Sequence, residues 1–82
     1  MKFQVNAKVM LKKKLLDVQG RAVESYLTQN QVHISQMRVG KCFEFVVESA
    51  SIDHAKSLVK KTLDETLVNS LLEEYQFELK EM

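Results

Sequence analysis

Residues 40–48 read Gly40-Lys41-Cys42-Phe43-Glu44-Phe45-Val46-Val47-Glu48, and the direction in which this strand faces decides the fold. One parity turns Phe43 and Phe45 outward as stacking platforms, in partial agreement with the basic-Gly-aromatic signature of RNA-recognition strands. That parity sends Glu44 into the core, where an unpartnered carboxylate costs several kcal/mol. The opposite parity buries Phe43, Phe45 and Val47 and leaves Glu44 and Glu48 outside. The second parity is expected. It places negative charge where nucleic-acid phosphates would require Lys or Arg.

The same logic extends to the N-terminus. Phe3, Val5, Ala7, Val9 and Leu11 alternate with Lys2, Gln4, Asn6, Lys8 and Met10, the period of two that marks a strand with one buried face. Charge and Gly20 then interrupt the alternation, so residues 12–20 read as a loop. From Arg21 to about Gln29, Ala22, Val23, Tyr26 and Leu27 share one side of a short helix. Val32–Val39 and Cys42–Glu48 read as two strands joined by a tight turn at Gly40-Lys41. Ser51 is placed to cap a second helix, with Asp53 in its first turn, where negative charge suits the helix dipole. Ala55, Leu58, Val59, Thr62, Leu63 and Leu67 recur at helical spacing, and Lys61 and Glu65 stand one turn apart on the solvent side. Asn69-Ser70 ends this helix, and Tyr75, Phe77 and Leu79 alternate with Glu74, Gln76, Glu78 and Lys80 in a last strand. The order β-α-β-β-α-β predicts an α+β, ferredoxin-like single domain spanning 1–82, with two helices on one face of a four-stranded antiparallel sheet.

A chain of 82 residues buries only about 60% of its unfolded surface, so a partner is an expected source of further stability. Apolar residues make up 45%, charged residues 28%, and the formal charge is +1; this balance favours neither disorder nor a strongly basic nucleic-acid binder. Polar residues interrupt the N-terminal apolar run and no stretch is long enough to span a membrane, so a cytoplasmic location is expected. The lone Cys42 reads as an inert thiol packed beside Phe43. His33 and His54 lack the spacing of metal ligands, and Gly20 and Gly40 do not form a phosphate loop. Lys12-Lys13-Lys14 reads as a solvated run. The open sheet face mixes charges with Met10, Cys42 and Val46, which suits a moderately polar protein contact.

Three motifs, in order and at matching distances, carry a resemblance over essentially the whole chain. They are Leu16-Asp17-x-Gln19-Gly20-x-Ala22, Arg38-x-Gly40-Lys41 and Leu67-x-Asn69-x-x-x-Glu73-x-Tyr75. Together they resemble the PurS subunits of phosphoribosylformylglycinamidine (FGAM) synthase. Val18 and Ser70 stand where that family commonly has Pro, which would fix φ at both sites. The resemblance implies a small non-catalytic subunit in de novo purine biosynthesis that bridges a glutaminase subunit and a large synthetase subunit and assists ammonia transfer. It further implies a homodimer or higher homo-oligomer. No catalytic, cofactor or metal residue is then expected on this chain, ATP and Mg²⁺ being used by the complex, and neither nucleic acid nor membrane is an expected partner. Contact candidates are Asp17, Gln19, Arg38, Lys41, Glu73 and Tyr75. Gly20 and Gly40 read as turn residues that supply positive φ, and Asn69 as a helix C-cap. Two other readings remain open: an ACT-like small-molecule-sensing regulatory domain, which shares the element order, and an RNA-binding module.

Overall fold

The computed structural model describes residues 1–82. Strand β1 (Lys2–Leu11), helix α1 (Val18–Gln29), strand β2 (Lys41–Glu48), helix α2 (Ile52–Thr62), a π-helical turn (Leu63–Leu67) and strand β3 (Glu73–Glu81) follow in chain order. The three strands form one antiparallel sheet in the order β2-β1-β3. β1 is therefore central, with Val5 opposite Phe45 on one side and Leu79 on the other.

Strand parity follows the sequence. Phe3, Val5, Ala7 and Val9 are sealed under α2, where Ala55, Val59, Leu63 and Val68 complete the core. Phe43, Phe45 and Val47 pack half-buried against that core, as do Tyr75, Phe77 and Leu79, while Glu44 and Glu48 are exposed. With its Phe pair on the α2 side, β2 has no stacking platform for bases. Each large apolar side chain sealed in this way contributes about 1.5–3 kcal/mol.

Helix α2 starts as expected: the Ser51 side chain accepts from the His54 N–H at 3.2 Å, and Asp53 lies in the first turn. Its exposed ion pair is Lys60–Asp64 at 3.1 Å rather than Lys61–Glu65. The helix then widens into the π turn, and Val68 is already extended. Asn69 is thus not the helix cap. It organises the following turn, its carbonyl accepting from Leu72 and Glu73 N–H groups and its side chain from Leu71 N–H at 3.1 Å.

Two expectations about the architecture fail. Val32–Val39 forms no strand, so the sheet has three strands, not four, and there is no hairpin at Gly40. Gln31 and Gln36 take positive φ, at 65° and 58°, which interrupts an extended run. The backbone groups a strand would offer are used elsewhere: Met37 N–H donates to Glu24 Oε2 at 3.0 Å and Val39 N–H to Asp17 Oδ2 at 2.9 Å. Nor do two helices share one face of the sheet. Helix α2 and the π turn after it pack on the sheet, whereas Gly20 is the sole buried residue of α1 and Val23 and Tyr26 are exposed. Helix α1 and residues 31–40 form an arm beside the sheet, and the molecule is elongated, 51 × 27 × 14 Å.

Neither glycine has positive φ; both are required by space. A Cβ on Gly20 would meet the Met37 carbonyl at 2.6 Å and the Asp17 carboxylate at 2.7 Å. One on Gly40 would collide with Met10 and the Val9 carbonyl. Cys42 lies exposed on the open face of the sheet, not in packing.

Candidate functional site

The three sequence motifs converge where β1 ends. Asp17 sits at the N-terminus of α1, β2 begins at Lys41, and β3 begins at Glu73, paired with Leu11. Between them runs an open groove of about 360 Å³, with Asp17, Gln19, Gly40, Lys41 and Glu73 on its walls beside the apolar Leu16 and Val18.

Each charged group on this groove is held by named partners. Asp17 is the N-cap of α1: its carboxylate accepts from Gly20 N–H at 2.8 Å and, through the other oxygen, from Val39 N–H at 2.9 Å. These two backbone donors, with a lesser contribution from Arg38, hold its pKa below the ordinary carboxylate value. Glu73 accepts from Asn69 N–H at 2.8 Å and faces Lys41 Nζ at 3.3 Å. The backbone donor first, and Lys41 after it, likewise lower its pKa. The Lys41 ammonium also lies 5.9 Å from the centre of the Phe43 ring, within reach of a cation–π attraction. Carboxylates fixed in this ionised state are poor proton acceptors near neutral pH. The groove is built for contact.

Arg38 and Tyr75 do not join the groove walls. The Arg38 guanidinium donates to the Leu11 carbonyl and lies 3.8 Å from Glu74, at the rim of a second hollow of about 330 Å³ with Lys8, Met10 and Lys13. Tyr75 donates its hydroxyl to Asp64 at 2.7 Å, which ties β3 to the π turn. Desolvation and then the Asp64 carboxylate raise the Tyr75 pKa, and this hydrogen bond is the main cause of the lowered Asp64 pKa. Tyr75 thus has a structural task. Sequence reasoning did not count Leu16 and Val18, 63% and 69% exposed, among the contact candidates, although they form an apolar pair flanking Asp17.

Other constellations lead elsewhere. Ser49 Oγ lies 2.7 Å from His54 Nδ1, but Ser49 is buried in the connection between β2 and α2 and also donates to the Ser51 carbonyl. No three His, Cys, Asp or Glu side chains gather as metal ligands. No helix is long and apolar enough to cross a membrane.

Against this geometry, comparison with known proteins is consistent along the whole chain. The family profile described as "PurS: Phosphoribosylformylglycinamidine (FGAM) synthase" matches residues 4–81. Phosphoribosylformylglycinamidine synthase subunit PurS of Bacillus subtilis is 35% identical over 83 aligned positions, covering 98% of this chain and 95% of that one. Among solved structures, Thermus thermophilus PurS superposes with a TM-score of 0.88 at 35% identity, covering 100% of this chain and 99% of that one. A chain in the structure of PurLQS from Thermotoga maritima superposes with a TM-score of 0.92 at 27% identity, covering 98% and 99% respectively.

Proposed function

This chain belongs to the PurS family, and from that premise we propose that it bridges the glutaminase and synthetase subunits of FGAM synthase and assists ammonia transfer between them. It is a small subunit of that synthase in purine biosynthesis, and the catalytic activity is carried by other subunits. The observation that carries the bridging role is the end-to-end likeness to a chain of PurLQS. A bridging chain has a physical task even without a reacting side chain. Ammonia released into water is protonated and loses its nucleophilic lone pair, so a closed interface that excludes water protects it in transit. ATP and Mg²⁺ then act on the synthetase, away from this chain.

Three features support an assembled state. The sealed core is small, α1 presents Val18, Val23 and Tyr26 to solvent, and the groove places Asp17, Gln19, Lys41 and Glu73 in one accessible rim. We assign the groove and Arg38 to subunit contacts and the exposed side of α1 to a homo-oligomer. Arg38→Ala and Lys41→Ala are expected to keep the fold and weaken co-elution with the larger subunits, as read by size-exclusion chromatography.

The decisive experiment reconstitutes glutaminase and synthetase subunits with and without this chain. Addition should raise FGAM formation from glutamine while leaving formation from added ammonium salts unchanged. Equal glutamine-dependent rates with and without the chain would reject the bridging role. Saturable binding of a free amino acid to the isolated chain would favour the sensory ACT-like alternative instead.

A further inference from the structure

The run Lys12-Lys13-Lys14 is exposed, as a solvated run should be, yet the fold gives its middle residue company. Lys13 lines the second hollow, of about 330 Å³, together with Lys8, Met10, Arg38, Glu74 and Gln76. Three cations face one carboxylate there, although the whole chain carries only +1. Two of the three are uncommitted. The ion pairs of the molecule use Arg38, Lys41 and Lys60, so neither Lys8 nor Lys13 has a carboxylate partner. In the strand register Lys8 stands between Cys42 and Gln76, a row without an acid. Arg38 is anchored but not used up: its guanidinium donates to the Leu11 carbonyl, while 3.8 Å to Glu74 is too long for a hydrogen bond.

We propose that this hollow binds the phosphate monoester of a sugar, of the ribose 5-phosphate kind. Lys8, Lys13 and Arg38 hold the phosphate, and Glu74 and Gln76 take the sugar hydroxyls. The inference goes beyond the bridging role and uses none of the groove.

The chemistry of the lining selects this ligand. A guanidinium offers parallel N–H donors to two phosphate oxygens, and ammonium groups add point charges beside it. Bare phosphate gains nothing from Glu74 and is repelled by it, whereas a sugar hydroxyl donates to an ionised carboxylate. Met10 offers the sugar carbons an apolar wall. The volume lies at the low end of small-ligand sites, about 300–1,000 Å³, which suits a sugar phosphate. Support is rigid on one side, since Lys8 pairs with Gln76 and Met10 with Glu74 across β1 and β3. Lys13 and Arg38 come from the loop and the arm, so a bound phosphate ties the arm to the sheet. Other occupants fit less well. The next row of the sheet sets Glu44 and Glu78 on either side of Asn6, and a nucleic-acid strand would have to cross these carboxylates. An acidic protein segment brings the charge without the hydroxyls that Glu74 would accept.

The test titrates the full chain with ribose 5-phosphate and with inorganic phosphate at matched ionic strength, followed by the NMR shifts of assigned backbone amides. Ribose 5-phosphate is expected to saturate, to move the amides of Lys8, Lys13 and Arg38, and to bind more tightly than inorganic phosphate. Because Arg38 also serves subunit contact, Lys8 and Lys13 carry the mutational arm. Lys8→Ala and Lys13→Ala should each weaken binding about tenfold, the scale of a lost hydrogen bond to a charged group, with circular dichroism unchanged. Glu74→Ala should tighten inorganic phosphate and erase the preference for the sugar. A wild-type chain that shows no saturable shift with either ligand would overturn the site, and so would binding indifferent to both lysine variants. Equal affinity for the two ligands, unaltered in Glu74→Ala, would overturn the sugar assignment and indicate a free-phosphate site. Lysine variants that lose co-elution with the larger subunits, beside a wild-type chain that binds no sugar phosphate, would overturn the inference in favour of an acidic protein segment. Saturable ribose 5-phosphate binding by a chain that fails to raise glutamine-dependent synthesis would uphold this site while rejecting the bridging role.

Discussion

The two halves of this chain are held by different forces. In the sheet with α2, stability comes from burial: Phe3, Val5, Ala7, Ala55, Val59 and Leu63 are all at 0% exposure. In the arm of α1 and residues 31–40, it comes from a few directed hydrogen bonds, chiefly those of Asp17 and Glu24 to backbone N–H groups. Burial scales with area and tolerates small shifts, whereas a carboxylate that must reach two N–H groups demands one geometry. The difference teaches why two of the three motifs, those around Asp17 and Gly40, fall in or beside the arm. Their identities are set by geometry rather than by hydrophobicity, and several of them, Asp17, Gln19, Gly40 and Lys41, line the groove available to partners.

Substitutions can break this contrast, beginning with the largest effect. Leu63→Ala removes a sealed side chain from the core and should cost about 2–5 kcal/mol in urea unfolding. Because Leu63 belongs to the burial-held half, the loss should be global. Gly20→Ala should cost about 1–3 kcal/mol, since the added methyl meets a backbone carbonyl that cannot rotate aside. Its main signature should be faster amide exchange at Met37 and Val39, with the β1 amides unchanged. If β1 exchange rises equally, the two halves are one cooperative unit and the contrast fails.

Acid titration sharpens the comparison with the smallest effect. The folded state lowers the Asp17 pKa below its ordinary value of 3.8, so this carboxylate stabilises the arm at pH above that value. The stabilisation disappears as pH falls through the lowered folded pKa. Protection of Gly20 and Val39 amides should therefore fade below the ordinary carboxylate range before the β1 amides respond. In Asp17→Asn, this pH dependence should vanish, because an amide has no proton to take up.

The sequence was most legible where a residue's fate depends on its immediate neighbours. Ser51 caps α2 because its oxygen needs only an N–H three residues ahead. Glu44 faces outward because Phe43 and Phe45 take the buried side. Legibility fell where distant residues compete. Asn69 has the composition of a helix cap, yet the chain had already left the helix through the π turn, and the side chain captured Leu71 N–H instead. Within the site, Asp17, Gln19, Lys41 and Glu73 meet at one groove, while Tyr75 belongs to the π turn through Asp64, a partner 11 residues away.

Alternation and spacing by themselves determined the parity of β1, β2 and β3, the amphipathic α2 and the family likeness, because each is a property of nearby residues repeated along the chain. Tertiary structure alone decided that Val32–Val39 stays out of the sheet and that α1 stands away from it. A segment joins a sheet only if its N–H groups are free to pair. Here Asp17, 22 residues before Val39, and Glu24, 13 before Met37, take those donors first.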